Sequence, residues 1–280
     1  MAEWRERRIP LRDTTLAVRE RPGHGPVVVF EAGLGLPGSS WQPVCDRLPR
    51  DQAVLCYDRA GLGTSDPGPA PRTATRQLAE LRELLAALEL APPYLLVGHS
   101  AGAFVVRMFA LAHPAEVAGM VLVDPAHEDE RATPWVDTSV SVALKVTAAV
   151  AGTGALAAGW RAARSAPVLR RATRGDRADL FGAALSPGHL RGTLAEDRAY
   201  AATVAEMRRA AHGRTLPDVP LRVISAEKTT GLRKLHRALA ATGPQGVQVI
   251  APGSGHLVML DAPELVAAQI GELIRRGGTP

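Results

Sequence analysis

Cysteine is nearly absent from the chain: Cys45 and Cys56 are the only two in 280 residues. Two are too few for a disulfide scaffold, and their spacing is not that of a CxxC-type metal site. The expectation is a pair of small buried side chains. Aromatic residues make up only 4%, and no basic stretch is interleaved with rings on which nucleic-acid bases would stack. Lysine occurs only at Lys145, Lys228 and Lys234, so the 33 basic residues that oppose 28 acidic ones are almost all arginine. The net charge of +5 therefore reads as arginine usage rather than as a nucleic-acid surface. Met1 to Pro10 is charged and has no apolar core of a secretory signal. The one membrane-like stretch, Val140 to Ala158, is rich in Ala and Gly, carries Lys145 and lacks the bulky side chains that a span of ~20 apolar residues needs. No internal repeat is visible. These absences lead to the expectation of a soluble cytoplasmic protein with no membrane or nucleic-acid partner. The oligomeric state is not legible.

What is present is a core. Hydrophobic residues are 46% of the chain, far from the low-hydrophobicity, high-charge signature of disorder. Short, continuously apolar runs at Val27–Glu31, Ala53–Tyr57, Tyr94–Gly98, Gly119–Asp124, Leu221–Ala226 and Val247–Ala251 read as strands covered on both faces. Between them lie helical patterns. Leu78, Leu81, Leu85 and Leu88 recur at helical spacing within Thr73–Leu90, and Ala101–Ala112 closes on His113-Pro114. Near the end, Asp261-Ala262-Pro263-Glu264 resembles a capping box ahead of the apolar face Val266, Ile270, Leu273, Ile274. Strand–helix alternation of this kind predicts an α/β fold with a mostly parallel, doubly wound sheet. The first ~20 residues read as an antiparallel hairpin at its edge. The alternation breaks between Pro125 and about Leu216, where helical Ala/Val/Leu patterns replace strands. The predicted organisation is a core of residues 1–124 and 216–280 with an inserted helical cap over 125–215.

The strongest chemical signal is Gly98-His99-Ser100-Ala101-Gly102. It follows the apolar run Tyr94–Val97 and opens a helix, which is the context that gives G-x-S-x-G its meaning. The two glycines are expected because the residues two before and two after the serine come into close contact at so sharp a turn. The turn exposes the Ser100 oxygen at a helix N-terminus. A serine needs a base within hydrogen-bond reach. His256, in the loop Pro252-Gly253-Ser254-Gly255-His256 after the last strand, is the best placed. His99 reads as a packing or capping residue, His113 as a helix-end residue, and His24, His189, His212 and His236 as surface or cap residues. The base needs an orienting carboxylate. Asp124 ends one strand and is the favoured candidate, Glu227 ends the next and is the alternative, and Glu128 and Asp129 are further candidates. An oxyanion needs two N–H donors. Ala101 follows the nucleophile, and Leu34 sits in the Gly-rich loop Ala32-Gly33-Leu34-Gly35-Leu36.

Together these segments resemble the α/β-hydrolase superfamily. Tyr57-Asp58-Arg59-Ala60-Gly61-Leu62-Gly63-Thr64-Ser65 is similar to its D-R-x-G-x-G-x-S loop, Pro93–Ser100 to its elbow strand, and Gly255-His256 with Asp261–Glu264 to its histidine loop and final helix. The resemblance spans nearly the whole chain outside the cap. Three departures are informative. The usual His-Gly of the oxyanion loop is Ala32-Gly33, preceded by Glu31. No Asp follows the strand Leu221–Ala226, which moves the acid to Asp124, on the strand that lipase-like members use. The nucleophile is Ser rather than Asp, which disfavours epoxide hydrolase and haloalkane dehalogenase chemistry.

The resemblance implies a serine hydrolase with no metal or organic cofactor. It would cleave a small carboxylic ester, lactone or thioester through an acyl-enzyme. An amidase or peptidase, an acyltransferase or cyclase, and a non-catalytic ligand-binding protein are the alternatives. Arg59 and Asp66 either touch substrate or shape the site, the latter being favoured. The arginines Arg161, Arg164, Arg170, Arg171, Arg174 and Arg177 read as a solvated helix face that would at most steer an anionic substrate. Val140–Leu156 would line an acyl pocket or pack on the core.

Overall fold

The computed structural model describes residues 3–130 and 186–277. The Val140–Leu156 stretch and the six arginines from Arg161 to Arg177 lie outside the described residues. The strands are β1 (Arg5–Pro10), β2 (Thr15–Arg21), β3 (His24–Glu31), β4 (Gln52–Tyr57), β5 (Tyr94–His99), β6 (Val117–Val123), β7 (Leu221–Ala226) and β8 (Gly246–Ala251). They form one sheet in the order β1-β2-β4-β3-β5-β6-β7-β8. β1 pairs with β2, and β2 with β4, antiparallel; every pairing from β4 to β8 is parallel. This is the expected α/β fold with an edge hairpin.

The side-chain period of two sorts each strand between two cores. Val27 and Val29 of β3, and Tyr94 and Leu96 of β5, join one core with Leu81, Leu84, Phe104 and Phe109. Val28 and Phe30, and Leu95 and Val97, join the other with Trp41, Val266 and Ile270. The first core is covered by α2 (Ala74–Ala87) and α3 (Gly102–Ala112), the second by α1 (Gln42–Cys45), α6 (Val258–Asp261) and α7 (Pro263–Gly277). The helix read at Thr73–Leu90 stops at Ala87, and Glu89 turns left-handed at φ 54°. The Asp261 capping box is displaced. The last helix starts at Pro263, and the Asp261 carboxylate accepts from Gly255 N at 2.8 Å. Cys45 and Cys56 are buried free thiols 3.5 Å apart.

Between β6 and β7, a long helix α4 (Pro187–Ala211) precedes the shorter α5 (Arg233–Ala240), which follows β7. Pro187 occupies the first turn of α4, and the Ser186 side chain accepts from His189 N. Helix α4 completes α2, whose capping position Thr73 makes no side-chain cap bond. Thr203 Oγ1 accepts from Ala74 N at 3.1 Å and Glu206 Oε2 from Thr75 N at 3.0 Å. Two of the amides that a helix start leaves without partners are thus satisfied by another helix. Among the described residues, no helix is long and apolar enough to cross a membrane.

Two histidines that read as surface or cap residues are buried. His236 is fully enclosed; its Nε2 donates to Pro125 O at 2.8 Å and its Nδ1 accepts from Ser225 Oγ at 2.9 Å. His189 donates from Nε2 to Gly35 O at 2.9 Å and accepts at Nδ1 from Gly63 N at 2.7 Å. Their partners come from distant segments, which no local pattern announces. His99 and His127 are buried too. Burial pulls all four below the ordinary histidine value, His99 to about 3.

A folded-state pKa below the unfolded one means that the unfolded chain binds the extra protons. Stability is then present above pH ~6.5 and is lost as the pH falls toward 3. At ~1.4 kcal/mol per unit, His99 alone would cost about 3 kcal/mol at pH 4. Urea unfolding at pH 7, 6, 5 and 4 should show this decline, with a shallower slope for His99→Gln. Equal slopes for the two proteins would refute the assignment to His99.

Candidate active site

Ser100 stands between the end of β5 and the start of α3, and it carries a left-handed φ of 50°. Such a conformation in a residue other than glycine costs on the order of 1–3 kcal/mol and persists only where the surroundings over-determine it. Here they do. Ser100 N donates to Val123 O at 3.1 Å, and Ser100 O accepts from Ala103 N and Ala126 N at 3.1 and 3.0 Å. A Cβ at either glycine would clash, as expected, and the structure shows what each would strike. A Cβ on Gly102 would lie 2.4 Å from Ala32 O, and one on Gly98 would lie 2.9 Å from Val106 Cγ2 and 3.0 Å from Ala103 Cα. Gly102 therefore lets the end of β3 and the loop after it approach the elbow.

His256 lies in the loop between β8 and α6. Its Nε2 is 3.0 Å from Ser100 Oγ and its Nδ1 is 2.7 Å from Asp124 Oδ2. Asp124 follows β6 with φ 39° and is fully buried. Its other oxygen, Oδ1, accepts from Ala226 N at 2.9 Å. Burial pushes the Asp124 carboxyl up. The His256 hydrogen bond and charge, the Ala226 N–H and the nearby His236 pull it down further, so it sits below the usual carboxylate value. The carboxylate is thus ionised beside the ring.

The other acid candidates are engaged elsewhere. Glu227 is exposed, and its Oε2 accepts from Gly253 N at 2.7 Å, so it braces the loop that carries His256. Glu128 is held by both Nη atoms of Arg107 at 2.6 and 2.7 Å; this partner outweighs burial and holds it at about 2. Asp129 is exposed, 3.9 Å from Arg208 Nε. Arg59 is buried beneath the site, and Asp66 pairs with Arg8 at 2.6 Å on the surface.

The expected oxyanion donors flank the elbow. Leu34 and Ala101 are both half-buried. Among the described residues, neither amide N–H has an acceptor. His99 reads from the sequence as a packing or capping residue. It is buried against Trp41, with ring centroids 6.4 Å apart, and its Nε2 donates to His256 O at 2.9 Å. It therefore holds the histidine loop by its backbone. The missed residue His236 lies behind Asp124, its Nδ1 3.9 Å from Oδ1. A helical-face reading of Arg233–Ala240 would have placed it inward, but not its partner. Among the described residues, no three His, Cys, Asp or Glu side chains are grouped to hold a metal ion.

The arrangement offers a hydroxyl, an imidazole, an ionised carboxylate and two free amides at one sheet edge, which is where open α/β sheets place their ligands. The protein YqjL of Bacillus subtilis (strain 168) is 38% identical over 127 residues, 45% of this chain, and the chain spans only half of that relative's length. Two solved structures share the fold at low identity. A thermophilic esterase from Thermogutta terrifontis, with malate bound, gives a TM-score of 0.72 at 23% identity, covering 98% of this chain and all of that one. The enol-lactonase from Burkholderia xenovorans LB400 gives 0.71 at 19% identity, covering 96% of this chain and all of that one. The sequence profile of the alpha/beta hydrolase family matches residues 28–269. The chain belongs to the alpha/beta hydrolase family.

Proposed function

We propose that the protein is a serine hydrolase that cleaves a small carboxylic ester, lactone or thioester through an acyl-enzyme. The observation that carries this reading is the unbroken chain Ser100 Oγ–His256 Nε2 at 3.0 Å and His256 Nδ1–Asp124 Oδ2 at 2.7 Å. The Asp124 carboxylate fixes the ring with its proton on Nδ1, which leaves Nε2 free as the base. As Ser100 Oγ attacks the carbonyl carbon, His256 takes its proton. The carbonyl oxygen becomes an oxyanion, and the N–H groups of Leu34 and Ala101 receive it. His256 then protonates the departing alcohol or thiol. In the second half, His256 deprotonates water, which attacks the acyl carbon, and the proton returns to Ser100 as the acid leaves. No cofactor takes part in this scheme. Residues 125–215 are the cap in this reading, set on a core of residues 1–124 and 216–280.

A fluorophosphonate probe should label the wild-type protein once, at Ser100, and should not label Ser100→Ala. Folded wild-type protein that stays unlabelled would sink the proposal and favour a ligand-binding role. p-Nitrophenyl esters of increasing chain length, a lactone and an amide should be turned over in the order ester and lactone above amide. Preference for the amide would point to an amidase, and capture of the acyl group by an added alcohol in preference to water would point to a transferase.

The two acid candidates separate by mutation. Asp124→Asn should lower kcat by about 10³–10⁴-fold, because the ring loses its orienting charge. Glu227→Gln should stay within a few-fold of wild type. The reverse pattern would move the acid to Glu227.

A further inference from the structure

One face of α4 rests on the two glycine turns beside the proposed oxyanion site. His189, Gly192, Thr193 and Glu196 follow the spacing i, i+3, i+4, i+7 and so share that face. His189 holds Gly35 O and Gly63 N by its two ring nitrogens. Gly192 lies so close to the second turn that a Cβ there would come within 2.1 Å of Gly61 O. Thr193 packs over Gly35. Glu196 Oε2 accepts from Gly35 N at 2.9 Å.

Glu196 also binds Arg59, and the Arg59 contacts are complete. Nε donates to Glu196 Oε1 at 2.7 Å and Nη2 to Glu196 Oε2 at 2.9 Å. Nη1 donates to Glu31 Oε1 at 2.7 Å and to Ala32 O at 2.6 Å, and Nη2 donates to Gly33 O at 2.8 Å. Five donors meet five acceptors, which is the full capacity of a guanidinium. The three side chains are almost sealed, at 4%, 1% and 3% exposure for Arg59, Glu31 and Glu196. Burial pushes the Glu31 carboxyl up, against the pull of Arg59 and of the Tyr57 hydroxyl that donates to it.

The consequence lies in one peptide plane. Gly33 C=O and Leu34 N–H belong to the same trans peptide, so they point in opposite directions. Gly33 O accepts from Leu36 N at 3.0 Å within the turn as well as from the guanidinium, and the two bonds together set the direction of Leu34 N–H. The next peptide is held in turn, because its N–H, on Gly35, is bound by Glu196. We propose that Arg59 and Glu196 are positioning residues that aim the Leu34 N–H at the oxyanion, so that the oxyanion site is complete only while α4 is docked on this loop. The proposal rests on the serine-hydrolase reading.

The test compares an oxygen ester with its thionoester. In the thionoester the developing charge falls on sulfur, a large and weak hydrogen-bond acceptor, so a well-aimed N–H adds little. Arg59→Lys cannot make all five contacts, having three donors on a single nitrogen. It should lower kcat for the oxygen ester by about 10–100-fold, in line with a displaced oxyanion donor, with KM within a few-fold. It should also shrink the oxygen-ester to thionoester ratio of kcat/KM by a similar factor. Glu196→Gln, nearly isosteric, should shrink the same ratio less, and it decides the matter if Arg59→Lys does not fold. A loss of activity that is equal for both substrates, or a ratio unchanged in folded Glu196→Gln, overturns the positioning role. Fluorophosphonate labelling of wild-type Ser100 is scored alongside. Labelled wild type with unchanged ratios in the variants defeats only the positioning role. Unlabelled wild type defeats the serine reading and this inference with it.

Discussion

The candidate site depends on a turn between a strand and a helix that the chain makes with almost no residues to spare. β5 ends at His99 and α3 begins at Gly102, so Ser100 must turn left-handed. The strain is held by bonds to the neighbouring strand: Ser100 N to Val123 O, and Ala126 N to Ser100 O. Val123 closes β6, and Asp124 and Ala126 follow at once. The bonds that hold the serine upright therefore also fix where Asp124 leaves the sheet. Gly102 serves the other side, since its missing Cβ admits the carbonyls of Glu31 and Ala32 at the end of β3. One turn thus brings three strand ends into register, and each contributes one part of the site.

Electrostatics around Asp124 and His256 follow a second pattern. Two further imidazoles lie close by, and each spends an Nε2 proton on a main-chain carbonyl. His99 gives its Nε2 proton to His256 O, and His236 gives its own to Pro125 O. Burial lowers both. Each ring acts as an oriented dipole rather than a rival base. His99 steadies the main chain of the residue that meets Ser100, while His236, with Ser225 and Gln248, packs the space behind the carboxylate. The fold buries one carboxylate beside His256 with a backbone N–H on its second oxygen.

These two patterns differ in how far they can be read from the chain. The strands, Ser100 and the histidine loop are local. A run of apolar residues, a Gly-x-Ser-x-Gly at its end and a glycine-rich loop before the last helix are each visible within ten residues, because period and turn chemistry act at that range. The choice between Asp124 and Glu227 was not local. Both end adjacent parallel strands, and what separates them is burial, together with a bond from Gly253 N that occupies Glu227. His189, His236 and Glu196 were illegible for the same reason on a larger scale. Glu196 meets Arg59 across 137 residues of sequence, and nothing within its own helix turn distinguishes it from a solvated glutamate. The glycines of the elbow are legible as positions where a Cβ is intolerable, but spacing does not say that Gly102 would strike the end of β3.

The Arg59 cluster joins the local and the distant parts. A buried guanidinium is costly unless every donor is met, and removing one partner of a buried pair costs about 3–5 kcal/mol because the remaining charge is left uncompensated. Arg59 meets that demand with two backbone carbonyls from the loop after β3, one carboxylate from β3 itself and one from α4. The same bonds that make the arginine tolerable in the interior orient successive peptides of the loop. Stability and loop geometry therefore cannot be tuned separately at this point. A change on the docking face of α4 reaches Leu34 N–H through Glu196 and Arg59 without touching the elbow, the imidazole or the carboxylate. Under the proposed reading, sequence variation on that face of α4 thereby has a route to the oxyanion loop that does not pass through substrate contact.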